Sequence, residues 1–267
     1  GNDPVAWAAV GLDSANDRIL VYGGQTYHAL SETVYSFDLS TDVWSEASIA
    51  GADPGTRKGH ASTMATGDDF SEMVVFGGED YHTLTDEVYV LDAYAVGAEL
   101  WSDLTVVDGP EPRVGASMVY DPESDVALMW GGRGYYGLLS DMWQLDFSGA
   151  TAVWTELAPY GDVPERAFST EVYDPNFDVI YAFGGETYHA LAETPLCMNM
   201  ETMEWMELLV TGDEIDALTD AAAVYSSDYR AVILYGGQGY HALPDQAYYI
   251  APTDVCEVEV TALEAGE

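Results

Sequence analysis

The sequence predicts an all-β protein, a β-propeller of five four-stranded blades, from three observations. First, a pair of glycines occurs five times, at separations of 54, 54, 53 and 52 residues. Second, each pair ends a short apolar run rich in β-branched and aromatic residues, which is typical of a buried strand. Third, turn-forming residues divide each repeat into four such segments, and a fixed period of about 50 residues with four short strands indicates a propeller. The pairs are Gly23-Gly24, Gly77-Gly78, Gly131-Gly132, Gly184-Gly185 and Gly236-Gly237.

The four predicted strands follow the same order in each repeat. A first strand, such as residues 114–120, leads through an Asp-rich turn, such as Asp121-Pro-Glu-Ser-Asp125, into the apolar second strand that ends at the glycine pair. The third strand alternates in polarity and ends at an aspartate, for example Asp38 or Asp92. The fourth strand carries a tryptophan, at Trp44, Trp101, Trp154 and Trp205. We expect the aspartates of the Asp-rich turns to cap those turns.

These elements resemble the kelch repeat. Arg57-Lys-Gly-His-Ala-Ser62 is the fullest copy of the first-strand motif of that family, and Arg113 and Arg166 repeat its arginine. The fifth repeat departs from the motif, with Leu218 in the arginine position and Ala251 in the aspartate position. The resemblance covers almost the whole chain and implies kelch-type blades. We expect one domain, 1–267, with blades at approximately 5–50, 57–105, 113–158, 166–210 and 218–262.

The charge of the chain excludes two classes of partner. Seven Lys+Arg stand against 47 Asp+Glu, which gives a formal net charge of −40. Such a surface repels nucleic acid and anionic membranes, because both are bound through clustered Lys and Arg. No apolar run approaches the roughly 18 residues of a membrane span, so we expect no direct membrane insertion. A lysine-poor, acidic surface favours an extracellular or cell-surface protein, or one from a high-salt environment.

Cys197 and Cys256 are the two cysteines and lie in repeats four and five. No CxxC spacing points to a metal. They form either a disulfide or two buried thiols, and a disulfide would close a loop of about sixty residues and contribute roughly 4 kcal/mol.

The loop after each glycine pair is the candidate functional segment. It reads Gln25-Thr-Tyr-His-Ala-Leu30 in the first repeat, and four of the five histidines of the chain occupy its fourth position. Because strand direction alternates within a blade, these loops and the starts of the first strands leave from the same end, so we expect several arginines near them. In kelch proteins this face commonly binds ligands. The candidate contact residues are Tyr27, His28, Tyr81, His82, Tyr135, Tyr136, Tyr188, His189, Tyr240, His241, Arg57, Arg113, Arg133 and Arg166.

We interpret the chain as a non-enzymatic recognition or assembly module that binds a protein or a glycan through the repeated Tyr-His loops. Two alternatives remain: a metal-binding protein or metalloenzyme that uses the histidines, and a structural subunit of a homo-oligomer or larger assembly. No cofactor is predicted, although a transition metal at the histidines or calcium at the Asp-rich turns stays open. Common catalytic motifs are absent from the sequence, so no residue is assigned as catalytic. A structural role also stays open for each candidate residue: packing for the tyrosines, bonds within the loop for the histidines, and ion pairs between blades for the arginines.

Overall fold

The computed structural model describes residues 5–67, 69–106, 108–161, 163–240 and 245–263. Throughout this described part the regular structure is β-strand, and no helix is present. The chain divides into two compact units: the first contains Gly1–Gly137 and Trp143–Glu156, and the second contains Leu138–Met142 and Leu157–Glu267. Among the described residues, no helix suited to crossing a membrane is found.

Blades 1 to 3 use the first fifteen strands. Blade 1 consists of β1 (Ala9–Asp13), β2 (Arg18–Tyr22), β3 (Val34–Asp38) and β4 (Val43–Glu46). Blade 2 consists of β6 (Ala61–Thr66), β7 (Ser71–Phe76), β8 (Val88–Asp92) and β9 (Leu100–Asp103). Blade 3 consists of β10 (Ser117–Asp121), β11 (Val126–Trp130), β14 (Met142–Asp146) and β15 (Val153–Leu157). The short strands are β5 (Ala50–Gly51), β12 (Arg133–Gly134) and β13 (Gly137–Leu138).

Blades 4 and 5 use the other nine strands. Blade 4 consists of β16 (Thr170–Asp174), β17 (Val179–Phe183), β18 (Leu196–Asn199) and β19 (Glu204–Glu207). Blade 5 consists of β21 (Ala222–Ser226), β22 (Ala231–Tyr235), β23 (Ala247–Asp254) and β24 (Glu257–Leu263), and β20 (Leu209–Gly212) joins its sheet. Consecutive strands within a blade pair antiparallel. The prediction of an all-β, five-bladed propeller fold is therefore confirmed.

The sheets of blades 2 and 5 contain a fifth strand that the repeat pattern did not predict. β5 pairs in parallel with β9, and β20 pairs in parallel with β24. Each short strand follows the fourth strand of the preceding blade and crosses to the next sheet. Ala50 and residues 209–210, which the sequence interpretation assigned to blades 1 and 4, thus belong to the sheets of blades 2 and 5. Four-residue and two-residue segments are too short to show a period, and their partners lie about fifty residues away in the sequence.

The core lies between neighbouring sheets, so the strands are buried on both faces. One cluster packs Leu20 and Tyr22 of blade 1 against Met73, Leu91 and Trp101 of blade 2. A second cluster joins blades 2 and 3, and a third joins blades 4 and 5. Burial on both faces explains why the second strands read as continuous apolar runs rather than alternating ones.

The glycine pairs of repeats 1, 2 and 4 connect their blades to the next one. The N–H of the second glycine donates to the backbone carbonyl of the arginine position in the following blade: Gly24 to Arg57 at 2.8 Å, Gly78 to Arg113 at 2.8 Å, and Gly185 to Leu218 at 2.7 Å. Gly78 has φ of 94°, and a Cβ there would lie 2.9 Å from the Lys58 carbonyl oxygen. Only glycine satisfies both the left-handed backbone and this close approach.

The Asp-rich turns are capped by their own side chains, as the sequence predicted. Asp121 Oδ1 accepts the N–H of Glu123 at 2.9 Å, and Asp174 Oδ1 accepts the N–H of Asn176 at 2.8 Å. Asp125 ends one of these turns with φ of 56°, and its carboxylate accepts a hydrogen bond from the Tyr120 hydroxyl at 2.7 Å. Within the described residues, no group of three or more His, Cys, Asp or Glu is arranged to hold a metal ion.

The two cysteines form a disulfide that joins blades 4 and 5. The sulfurs of Cys197, in β18, and Cys256, in the turn before β24, are 2.04 Å apart. Of the two alternatives that the sequence left open, the disulfide is therefore the one observed. Both half-cystines pack in the apolar cluster that these two blades share.

Replacing Cys197 and Cys256 together by alanine is expected to lower the free energy of unfolding by about 4 kcal/mol, because the bond closes a long loop in the unfolded chain. Urea unfolding followed by circular dichroism measures the change. A reductant should destabilise the wild-type protein to a similar extent and leave the double variant unaffected. A double variant as stable as the wild type would show that the bond does not stabilise the fold.

Candidate functional site

The Tyr-His loops leave the blades at the end opposite the Asp-rich turns. Each loop joins the second strand to the third, whereas each Asp-rich turn joins the first strand to the second. Strand direction reverses at every turn, so within one blade the two connections lie at opposite ends of the sheet. We call the end that carries the Tyr-His loops the loop face.

The loops of blades 1, 2 and 4 are each closed by their own backbone and by one side chain. In blade 1, Thr26 Oγ1 accepts the Ala29 N–H at 3.0 Å, and in blade 2, Asp80 Oδ1 accepts the Thr83 N–H at 2.7 Å. Hydrogen bonds from the backbone N–H groups of His82 and Thr83 lower the pKa of the Asp80 carboxyl below its ordinary value. Because the loop is held this way, the imidazole rings of the histidines are not needed to close it.

The histidine rings lie on the surface of the loop face. His28, His82 and His189 are exposed, and the Tyr27 and His28 rings meet edge to face with centroids 4.9 Å apart. His241 lies outside the described residues. The three described rings are thus available to an external group.

Four loop tyrosines tie neighbouring blades together. The Leu30 N–H of blade 1 donates to the Tyr81 hydroxyl oxygen of blade 2 at 2.8 Å. The same bond recurs for the next three pairs of blades: Leu84 to Tyr135 at 3.0 Å, Leu138 to Tyr188 at 3.1 Å, and Leu191 to Tyr240 at 2.8 Å. We refer to these bonds as the tyrosine bridges. These tyrosines therefore have a structural role, which the repeated sequence alone did not reveal.

Tyr27 and Tyr136 differ from the bridging tyrosines in their exposure. Tyr27 is 95% exposed and Tyr136 is 98% exposed, while the bridging tyrosines lie between 57% and 61%. Tyr136 occupies the histidine position of blade 3, in the turn between β12 and β13. Two nearly fully exposed aromatic rings therefore stand on the loop face.

Three arginines of the predicted contact set are interior residues. Arg57, Arg113 and Arg166 are buried, so they do not contribute to an exposed contact surface. Each donates to the carbonyl oxygen of the first glycine in its own blade, at 3.2, 2.9 and 3.1 Å. The guanidinium group satisfies a buried carbonyl that the left-handed glycine turns inward. Arg133 is exposed in the short strand β12 and is the member of the arginine set that stands on the surface.

Arg57 also carries an ion pair. Its Nη2 atom lies 2.8 Å from Glu87 Oε2, and the guanidinium group stacks 5.1 Å from the centroid of the Tyr89 ring. Arg57 and Glu87 both belong to blade 2, so this ion pair lies within one blade and not between blades as the structural alternative expected.

A cavity of about 490 Å³ opens among the loops of the first three blades. Its charged and aromatic lining includes Lys58, Glu79, His82, Arg133 and Tyr135. Lys58, the one lysine of the sequence, lies 3.1 Å from Glu79 Oε1 and donates to Gln25 Oε1 at 2.9 Å. The site therefore combines both signs of charge with exposed aromatic rings, a mixture that suits a polar ligand with one apolar surface.

Sequence reasoning missed Lys58, Gln25 and Glu79 as lining residues. The composition of the chain could have pointed to Lys58, because it is the one lysine in a strongly acidic sequence. Its contact with Gln25 in the loop of blade 1 followed only from the three-dimensional structure. Trp7 also lies here, with the Lys58 ammonium 5.1 Å from its ring centroid.

His60, the histidine of the kelch first strand, is a buried residue rather than part of the loop face. Its Nε2 atom accepts the Ala9 N–H at 3.0 Å, which links blades 1 and 2. Burial, with a smaller contribution from the Arg57 charge, lowers the pKa of His60 to about 3. The imidazole is therefore neutral in the folded protein at neutral pH.

The tyrosine bridges predict that the same Tyr→Phe substitution lowers the folding free energy by different amounts at a bridging and at a non-bridging position. Tyr81→Phe removes the acceptor of the Leu30 N–H and is expected to cost about 1 kcal/mol of folding free energy. Tyr27→Phe should change stability by less than about 0.5 kcal/mol, because surface substitutions away from such contacts usually do. Urea unfolding of both variants gives the comparison. Equal stabilities would show that the Tyr81 bond makes no net contribution.

His60 predicts a specific acid sensitivity. Its pKa is lower in the folded state than the ordinary 6.5, so between pH 6.5 and about 3 the unfolded chain binds a proton that the folded chain does not. The stabilisation is complete above pH 6.5 and is lost as the pH falls. Relative to His60→Gln, which retains an acceptor but does not titrate, the wild type should lose about 1.4 kcal/mol per pH unit in this range. Parallel pH profiles of the two proteins would contradict the assignment.

Comparison with known proteins agrees with this architecture. The family model of the KLHDC2/KLHL20/DRC7 Kelch-repeats domain matches residues 2–173. N-(sulfonatooxy)prop-2-enimidothioate sulfolyase from Thlaspi arvense is 25% identical over 264 residues, which cover 89% of this chain and 72% of that protein. Acyl-CoA-binding domain-containing protein 4 from Arabidopsis thaliana is 25% identical over 245 residues, covering 89% of this chain. Putative adagio-like protein 2 from Oryza sativa subsp. japonica is 26% identical over 266 residues, covering 90% of this chain.

The chain spans only part of some of these relatives, 34% of the acyl-CoA-binding protein and 40% of the adagio-like protein. The match to the family model extends over more than half of this chain. The glycine pairs, the buried arginines and the four-stranded order of the blades agree with that match. The chain belongs to the kelch-repeat family.

Proposed function

We propose that the protein is a recognition module whose loop face binds a segment of another protein. Kelch propellers typically act as protein-interaction modules, which supports this class of function. The observation that carries the proposal is the set of exposed rings on the loop face of blades 1 to 3: Tyr27, Tyr136, His28 and His82, of which the two histidines are not needed for loop closure.

The composition of the loop face favours a polar partner with aromatic or apolar side chains. Tyrosine and histidine rings offer stacking surface together with hydrogen-bonding groups, and tyrosine is enriched at protein interfaces. The cavity beside Tyr135 is a concave part of the same surface. Lys58 and Glu79 in its lining can bind a charged or hydrogen-bonding group of the partner. A glycan would use the same stacking surfaces and is the finer alternative within this proposal.

We further propose that the protein works in an oxidising compartment, at the cell surface or outside the cell. The Cys197–Cys256 disulfide supports this, because such bonds persist mainly in oxidising environments. The acidic composition suits the same location or a high-salt medium.

Selection from a phage-displayed peptide library on the immobilised wild-type protein tests the loop face. A variant with Tyr27→Ser, His28→Ala and His82→Ala should bind the selected peptides at least about tenfold more weakly, because the exposed rings form the contact. Glu123→Ala, an exposed residue of an Asp-rich turn, is the matched control and should bind within about twofold of the wild type. Unchanged binding by the folded loop variant would overturn the proposal.

Catalysis in the cavity is the second candidate. One relative carries the name of a sulfolyase, and the cavity brings a lysine, a carboxylate and a histidine into one unit. Release of sulfate from an N-(sulfonatooxy) imidothioate by the wild type, and its loss in Lys58→Met, would establish this candidate. Absence of sulfate release would leave recognition as the function.

A further inference from the structure

One face of the blade 1 sheet carries apolar side chains that are exposed. Residues paired across neighbouring strands point to the same side of a sheet, and Leu12, Ile19, Phe37 and Trp44 are paired in this order across β1 to β4. Leu12 is 50% exposed and Trp44 is 48% exposed. We call this side of the sheet the open face of blade 1.

The equivalent face of blade 2 is covered by a neighbouring blade. Its paired residues are Met64, Met73, Leu91 and Trp101, which are apolar as in blade 1. Trp101 is only 4% exposed, because Leu20 and the rest of the opposite side of blade 1 pack against this face. In blade 2, a row of four apolar residues across the sheet is thus the surface that receives another blade.

Blade 5 also has one exposed apolar face. Val224 pairs with Ile233, which pairs with Tyr249, and Tyr235 lies on the same side of the sheet, two residues further along β22. Val224 is 54% exposed and Tyr235 is 53% exposed. We call this side of the sheet the open face of blade 5.

The equivalent face of blade 4 packs onto the next blade. Val172 and Phe183 occupy the positions of Val224 and Tyr235, since Phe183, like Tyr235, directly precedes the glycine pair of its repeat. They are 7% and 3% exposed, and both lie in the cluster that blades 4 and 5 share. The open face of blade 5 therefore has the side chains of a face that covers another blade.

The backbone groups that join one blade to the next are present on the same two blades. Gly24 of blade 1 donates its N–H to the Arg57 carbonyl of blade 2 at 2.8 Å. Gly237 is the corresponding glycine of blade 5. Val5 of blade 1 corresponds to Arg57, because each stands directly before the residue that forms a β-bridge to the position after a glycine pair. Among the described residues, neither the Gly237 N–H nor the Val5 carbonyl has a hydrogen-bond partner.

The occupant that these observations favour is a second copy of the chain. The faces of blades 2 and 5 that receive a neighbour are each covered by another kelch blade of this chain. The open face of blade 1 is a receiving face and the open face of blade 5 is a covering face, and both are exposed on the single chain. A second copy supplies the missing half to each, and exposed apolar patches of this kind mark protein interfaces.

We propose that the open face of blade 5 in one copy of the protein packs onto the open face of blade 1 in a second copy. The contact is built like the interface between blades 1 and 2, with the two apolar faces together and the Gly237 N–H on the Val5 carbonyl. Because the two faces differ, the contact is heterologous, and its repeated use produces a closed ring of chains or an open filament. This interface is separate from the loop face and does not depend on its role.

Sedimentation velocity of the full chain at high salt measures this association, since salt screens the repulsion between chains of net charge −40. The mean mass of the wild type should rise with concentration. Leu12→Asp and Val224→Asp each place a charge in one open face and should weaken self-association at least about tenfold. Val153→Asp adds the same charge at another exposed valine, in β15, and should associate within about twofold of the wild type.

A mixture of the two variants tests the heterologous geometry. Leu12→Asp keeps an intact open face on blade 5 and Val224→Asp keeps one on blade 1, so the mixture should form a dimer that neither variant forms alone. A wild type that stays monomeric up to its solubility limit would overturn the proposal. So would a mixture no heavier than its separate components, or equal weakening by Leu12→Asp and Val153→Asp.

Urea unfolding at a concentration where the wild type is monomeric separates this contact from one within a single chain. Leu12→Asp and Val224→Asp should then have the same urea midpoint as Val153→Asp, because all three side chains are exposed on the single chain. A lower midpoint for the two open-face variants than for Val153→Asp would show that the chain covers these faces itself, which contradicts association through them.

Discussion

The bond from the second glycine of a pair to the next blade, seen at Gly24, Gly78 and Gly185, is the constraint on which the other features depend. It requires a left-handed backbone and a carbonyl within hydrogen-bonding distance, so no side chain is tolerated there. The same turn directs the carbonyl of the first glycine inward, and Arg57, Arg113 and Arg166 are buried to satisfy it. The loop that follows starts from this fixed point, which is why its tyrosine reaches the same amide of the preceding blade each time.

Burial of the arginines changes the meaning of the net charge. Arg18, Arg57, Arg113 and Arg166 are all buried. Arg18 is paired with Asp13 at 2.7 Å and with Glu99 at 2.9 Å, in a network that links blades 1 and 2. Within the described residues, four buried acids, Asp13, Glu99, Asp121 and Asp174, balance these four arginines, so the negative net charge lies on the surface. On the loop face, Arg133 and Lys58 are local exceptions to this negative field.

The sequence allowed the fold to be predicted well because its signals are local and repeated. Gly23-Gly24 and its four copies mark strand ends by steric necessity, and Asp121 and Asp174 mark turns by their own hydrogen bonds. The site was predicted less completely, because exposure depends on tertiary contacts. The Arg57 motif reads the same whether its side chain points to solvent or to a buried carbonyl. The crossing of Ala50 to the next sheet and the cavity position of Lys58 likewise depend on residues distant in sequence, which no local pattern encodes.

The tyrosine bridges give the loop face a mechanical property. A loop that carries a bridging tyrosine holds the backbone of its neighbour through one hydroxyl group, so displacement of one loop is transmitted directly to the next. A partner that contacted several of these loops at once would therefore bind a surface whose backbone is already held by the tyrosine bridges. Little conformational entropy remains to be lost in those loops when the partner binds, which favours a rigid, pre-shaped contact over an adaptive one.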